Sequence, residues 1–148
     1  MTMKKISIIL LFLMLTNCGY DAIYSKNNSL NVLVNKIETS GNKNINRIIV
    51  SSIKVEEKKA GYQIKLVSTK NSEVVSKDGT GNASIYRTTI IVDFLLSDQA
   101  KTIKQKKFSA SFTYSNIKNK FDLKQYQKNV EINLINKITE EIFTFLKT

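Results

Sequence analysis

ASIYRTTIIVDFLLSD, Ala83 to Asp98, is the stretch whose reading decides the fold. At a period of two it sets Tyr86, Thr88, Ile90, Val92, Phe94 and Leu96 on one face. Ile85, Arg87, Thr89, Ile91, Asp93 and Leu95 fall on the other, which is also fairly apolar. Two apolar faces predict a central strand, covered by helix on one side and partly covered on the other.

The neighbours supply the rest of a sheet. KFSASFTYS, Lys107 to Ser115, alternates Phe108, Ala110, Phe112 and Tyr114 with Lys107, Ser109, Ser111 and Thr113, and predicts a second strand. Between the two, SDQAKTIKQKK reads as a polar hairpin connection carrying Lys101, Lys104, Lys106 and Lys107. Upstream, KDGTGNAS, Lys77 to Ser84, reads as a turn. Its GTG lacks the GxGxxG spacing and the strand-to-helix context of a phosphate-binding loop. Tyr62, Ile64 and Leu66 alternate with Gln63 and Lys65 as a further strand.

LNVLVNKIE, Leu30 to Glu38, alternates at Leu30, Val32 and Val34 and predicts the first strand, broken by Ser40, Gly41 and Asn42. The period then changes. Ile45, Ile48, Ile49 and Ile53 lie on one face of a helix expected from about Asn42 to Lys59, with Gly61 as its stop. A second helical stripe closes the chain at Tyr126, Val130, Leu134, Ile138, Ile142, Phe145 and Leu146. The order is β–α–β–β–β–α. It predicts an α+β domain over residues 30–148, with two helices on one face of a roughly four-stranded mixed or antiparallel sheet.

The N-terminal part reads differently. Lys4 and Lys5 precede an apolar run from Ile6 to Leu15, the pattern of a secretory signal over residues 1–17. The run is shorter than the roughly twenty apolar residues that span a bilayer. Leu15-Thr16-Asn17-Cys18 resembles the bacterial lipobox, in which the cysteine sulfur is lipidated and the peptide is cut just before it. Cys18 is therefore expected to carry the lipid anchor, with residues 18–29 as a tether. Each acyl chain contributes about 0.8 kcal/mol per buried CH₂, so two or three chains hold where one does not. Cys18 is also the chain's single cysteine, which leaves no intramolecular disulfide.

Composition narrows the chemistry. The chain has no histidine, and its one thiol is assigned to the anchor, so Ser–His, Cys–His and most zinc arrangements are excluded. No metal, cofactor or catalytic residue is expected, and the protein is read as not an enzyme. The formal net charge is +11. Such an excess ordinarily points to nucleic acid. For an exported, tethered domain, anionic lipid or polysaccharide is the better partner class and nucleic acid is not expected. A Lys-, Asn- and Ile-rich composition is the plainer source of the same charge.

CGYDAIY, Cys18 to Tyr24, resembles the CGFxPLY start of the lipopolysaccharide-assembly lipoprotein family LptE in its alphaproteobacterial form, with Ala22 and Ile23 where proline and leucine are usual. The order of strands and helices downstream resembles that family over nearly all of residues 18–148. The resemblance implies an outer-membrane lipoprotein on the periplasmic face, which plugs and helps assemble the LptD barrel and supports lipopolysaccharide transport. Gly19 is compatible with that address. Lipopolysaccharide carries phosphates, which makes Arg87, Lys101, Lys104, Lys106 and Lys107 the candidate contacts, against the alternative of a merely solvated turn. Two other readings stay open: a scaffold or pilot for another envelope machine, and a stand-alone lipoprotein that binds anionic lipid.

Overall fold

Ala83–Asp98 forms one unbroken strand, β5 in chain order, and its two faces divide as the alternation predicts. Thr88, Ile90, Val92, Phe94 and Leu96 are buried, while the opposite face is half-buried except at the exposed Arg87. The computed structural model describes residues 30–32, 34–55, 61–99 and 101–147. The signal sequence, Cys18 and the tether lie outside them. Around β5 the chain runs β1 (Leu30–Val32), β2 (Val34–Gly41), α1 (Lys43–Ser52), β3 (Ile53–Val55), β4 (Tyr62–Lys77), β5, β6 (Lys101–Ser115) and α2 (Lys120–Lys147). The main sheet has the order β2-β4-β5-β6, and β1 pairs with β3 in a separate two-stranded ladder.

The sheet is mixed. β2 and β4 are parallel, joined by the crossover through α1, whereas β4–β5 and β5–β6 are antiparallel hairpins. The predicted α+β class and the β–α–β–β–β–α order hold, and both helices pack on the same sheet face. Ile45, Ile49 and Ile53 meet Ile64 and Leu66 of β4, while Leu134, Ile135, Ile138 and Ile142 of α2 join the same core with Phe94 and Phe108. Each such side chain, fully buried, contributes about 1.5–3 kcal/mol of transfer free energy.

The entry to α1 is fixed locally. Gly41 has φ +88, and a Cβ there would stand 2.0 Å from the Ser68 carbonyl oxygen, so no side chain fits between β2 and β4. Asn42 then caps the helix: its side chain accepts from the Asn44 and Ile45 amides at 3.1 and 3.2 Å. The Lys77–Ser84 turn is also fixed locally, because the Asp78 carboxylate accepts from the Thr80 amide, the Thr80 hydroxyl and the Asn82 amide at 2.7–2.9 Å. These donors hold the exposed Asp78 carboxyl below its ordinary pKa.

Four expectations need correction. The helix expected to reach Lys59 ends at Ser52, and Ile53 is extended. The Ser51 and Ser52 hydroxyls both donate to the Ile48 carbonyl, offering the backbone an alternative to another helical turn. Ile53 stays in the core, but as the start of β3. The single first strand divides into β1 and β2, which belong to different sheets. The supposed polar connection before Phe108 is itself strand: β6 starts at Lys101, and the turn is tight, with Gln99 at φ 44. Its polarity is compatible with pairing because β6 is an outer strand, where side chains reach water. Phe112 shares the face of Phe108 and Tyr114 yet is 47% exposed, with no described strand beyond β6 to shield it.

In α2 the buried set is Val130, Leu134, Ile135, Ile138, Thr139, Ile142 and Phe143, broader than the predicted stripe. Stepping by four carries a stripe about 40° around a 3.6-residue helix, so neighbouring positions share the burial. Tyr126, at the early end, is 38% exposed but keeps an edge-on contact with Tyr114.

Gly41→Ala is expected to lower stability by about 1–3 kcal/mol, since it combines an unfavourable φ with a backbone collision. Gly79→Ala, where a Cβ meets nothing within 4 Å, should change it by less than about 0.5 kcal/mol. Urea unfolding of the two variants beside the parent checks both; equal effects would show that the β2–β4 approach is not the constraint described.

Candidate functional site

The five candidate contacts do not converge. Arg87 lies on the open face of the sheet, opposite Thr113, and its guanidinium donates to the Thr113 hydroxyl at 3.3 Å and faces Glu73 at 3.9 Å. Lys107 shares that face but pairs with Asp93 at 3.5 Å. Arg87 and Asp93 are six residues apart on β5, about 20 Å at strand rise.

Lys104 and Lys106 point the other way. The register shift between Leu96 and Ser97 leaves Ile103 as an extra residue on β6, and Lys104 falls opposite Leu96 on the helix side. There the Lys104 ammonium donates to the Phe145 carbonyl at 3.0 Å and the Leu146 carbonyl at 3.5 Å. It thereby satisfies carbonyls at the last turn of α2, where a positive charge also meets the negative end of the helix dipole. Lys104 and Lys106 each stand 5.4 Å from the centre of the Phe145 ring, and Lys106 is 5.1 Å from that of Phe108. Lys101 sits opposite Asp98 in the strand register at the exposed start of β6. The cluster is therefore an edge-strand and helix-end arrangement, with Lys104 committed to structure.

Sequence reading missed a better-built concavity on the helix side. A groove of about 620 Å³ opens between the start of α1, the middle of β4 and the first turns of α2. Asn44, Lys70, Phe121, Lys124, Lys128 and Glu131 are among its lining residues. Lys70 and Glu131 pair at 2.5 Å, and the Asn44 side-chain amide donates to the same carboxylate at 3.1 Å. Burial is the largest influence on Glu131 and raises its pKa. The two donors and the Lys70 charge together outweigh it, and the carboxyl lies below its ordinary value. Phe121 is 76% exposed. Only long-range pairing of β4 with α2 assembles these residues, and no spacing in the sequence signals them.

The second distinctive surface is the uncovered sheet face. Thr89, Ser109, Ser111 and Thr113 form a hydroxyl-rich field on it, interrupted by the half-buried Val67, Ile85, Ile91 and Leu95. Among the described residues no helix lies against it and no cluster of side chains suits a metal ion. None of the described helices is long and apolar enough to cross a membrane.

Glu131→Gln should cost about 1 kcal/mol at neutral pH, because it removes a charge-assisted partner from Lys70. A carboxyl whose folded pKa is depressed stabilises above its unfolded value, here near pH 4.5, and that contribution is lost as pH falls through the folded value. The stability gap between parent and variant is accordingly expected to close below pH 4.5. Denaturant titrations between pH 7 and pH 3 measure it, and a gap constant with pH would refute the ionised Glu131 assignment.

No family model matches the chain, and no curated protein is significantly similar to it in sequence. Solved structures are similar in fold. Rare lipoprotein B from Shewanella oneidensis superimposes with a TM-score of 0.59 at 14% identity, over 76% of this chain and 94% of its own. A minor lipoprotein from Acinetobacter baumannii gives 0.62 at 10% identity, over 78% and 90%. Lipoprotein B from Nitrosomonas europaea gives 0.60 at 13% identity, over 80% and 84%. At these identities the likeness is one of fold: the domain has the architecture of these bacterial lipoproteins.

Proposed function

We propose that the chain is an outer-membrane lipoprotein, anchored through Cys18 on the periplasmic face, which plugs and helps assemble the LptD barrel in support of lipopolysaccharide transport. The role is that of a non-catalytic structural partner. The observation that carries it is the uncovered sheet face. Barrel interiors are lined by polar side chains alternating with lipid-facing ones, and a plug has to meet them with hydrogen-bonding groups. The Thr89, Ser109, Ser111 and Thr113 hydroxyls provide such a surface, while the apolar faces of α1 and α2 are spent on the core. The shared fold with lipoproteins and the Leu15–Cys18 motif support the anchored half of the reading.

Lipopolysaccharide phosphates would be met as point charges by Lys101 and, on the open face, by Lys107, and through the planar guanidinium of Arg87, with Lys104 and Lys106 beside the end of α2. Because Lys104 also holds that helix end, charge reversal is best placed at Lys101 and Lys107.

Detergent extraction of the tagged full-length chain from outer membranes is expected to retain a barrel of LptD size, and acyl labelling should be lost in Cys18→Ala. Lys101→Glu with Lys107→Glu should weaken lipopolysaccharide binding several-fold. Recovery of a different envelope partner without the barrel would favour the scaffold or pilot reading. Lipopolysaccharide binding by the double variant at parental strength would remove the lysine contacts.

A further inference from the structure

β2 ends where Gly41 meets Ser68, because the chain must turn there into α1. β4 does not end with it. From Thr69 to Lys77 its outer edge has no partner strand among the described residues, a length of about 30 Å. The other open edge, β6, carries four lysines and a bulge near its start, devices that discourage strand-to-strand association. The β4 edge is less guarded. Between Thr69 and Val74 its one lysine, Lys70, is held by Glu131, and Val74 and Val75 are 43% and 38% exposed. Register shifts occur only at the far end, between Val74 and Ser76 and between Ser76 and Lys77.

The groove described above meets this edge at Lys70, on the helix side. Beyond Ser68 no described strand flanks β4 where a longer β2 would have continued, and at Lys70 the groove opens between this edge and α2. Its α2 wall carries Lys124, Lys128 and the exposed Phe121, while its one carboxylate, Glu131, is neutralised by Lys70. Strand addition draws affinity from main-chain hydrogen bonds and specificity from sites that take alternate side chains. An open edge beside a basic, aromatic-capped groove has both parts.

We propose that the edge of β4 from Thr69 to Val74 accepts an extended, acidic segment of a partner polypeptide as an added strand. Its alternate side chains point into the groove, with carboxylates at Lys124 and Lys128 and an apolar residue under Phe121. The pairing restores a four-stranded sheet along the part that β2 leaves three-stranded. This inference does not depend on the barrel-plug reading, since any partner with such a segment satisfies it.

The test uses the full-length chain in detergent and three fluorescent ten-residue peptides of equal strand propensity, built from Val and Thr alternating with Glu, Lys or Gln. A fourth carries the Glu sequence with alternate backbone amides methylated. Anisotropy should show the Glu peptide binding at least tenfold more tightly than the Lys and Gln peptides. Methylation, and Lys124→Glu with Lys128→Glu, should each weaken it at least tenfold, and the double variant should come to prefer the Lys peptide. Hydrogen exchange at Thr69–Val74 should slow when the Glu peptide is bound. Binding indifferent to methylation would reduce the effect to charge and overturn strand addition. Protection that appears without peptide as protein concentration rises would assign the edge to a second copy of the chain. Protection by phosphatidylglycerol vesicles and by no peptide would assign the groove to lipid, and no protection by any probe would leave the edge without an occupant; each of these outcomes overturns the proposal.

Discussion

Everything in this domain follows from the need to bury one face of β5. Phe94, Val92 and Ile90 are fully enclosed, and enclosing them takes a strand on each side and a helical layer above. Hairpins on either side supply the strands. The helical layer is shared by a short α1, delivered through a parallel crossover, and a long α2 that returns along β6. Since both helices go to the same face, no described element covers the other.

The crossover sets the asymmetry of the molecule. A parallel connection requires the chain to leave β2, and it does so where only glycine tolerates the approach to Ser68. β4 and β5 continue well beyond that point, so among the described residues the sheet narrows from four strands to three. A chain of polar contacts, Ser72 to Thr88 and Thr88 to the Tyr114 hydroxyl, ties these three strands together under the Tyr86–Tyr114 ring stack. The open β4 edge and its basic groove are by-products of this geometry, and so is the hydroxyl-rich face on the reverse side.

The positive charge is spread rather than focused. Lys104 is held by helix-end carbonyls, Lys107 by Asp93 and Lys70 by Glu131, while Arg87 stands beside Glu73. A run of lysines that looks like one patch along the chain is divided by the strand pleat into two surfaces. Exposed pairs of this kind contribute little to stability, typically under about 1 kcal/mol. The enclosed arrangements at Lys104 and Glu131 matter more because they join separate elements.

What the sequence determined by itself is what depends on near neighbours: the alternation of β5 and of Phe108 to Tyr114, the break at Gly41–Asn42, the Asp78 turn and the amphipathic run of α2. Period and capping are local properties, and they sufficed for the α+β class and the order of elements. Tertiary structure alone decided that Ile53 would leave α1 and still reach the core. It also decided that Lys101 to Lys107 would form strand instead of loop, and that Lys104 would face a helix end rather than solvent. These outcomes turn on tertiary pairing: β6 pairs with β5 in unbroken register from Lys104 to Ser115, which sets Lys104 on the face of Phe108 and against the end of α2, and the extra residue Ile103 shifts only Lys101 and Thr102. The Lys70–Glu131–Asn44 contact was beyond local reading for the same reason. Its three residues come from three elements, and their meeting is fixed by how α2 seats on the sheet, which no window of neighbouring residues contains.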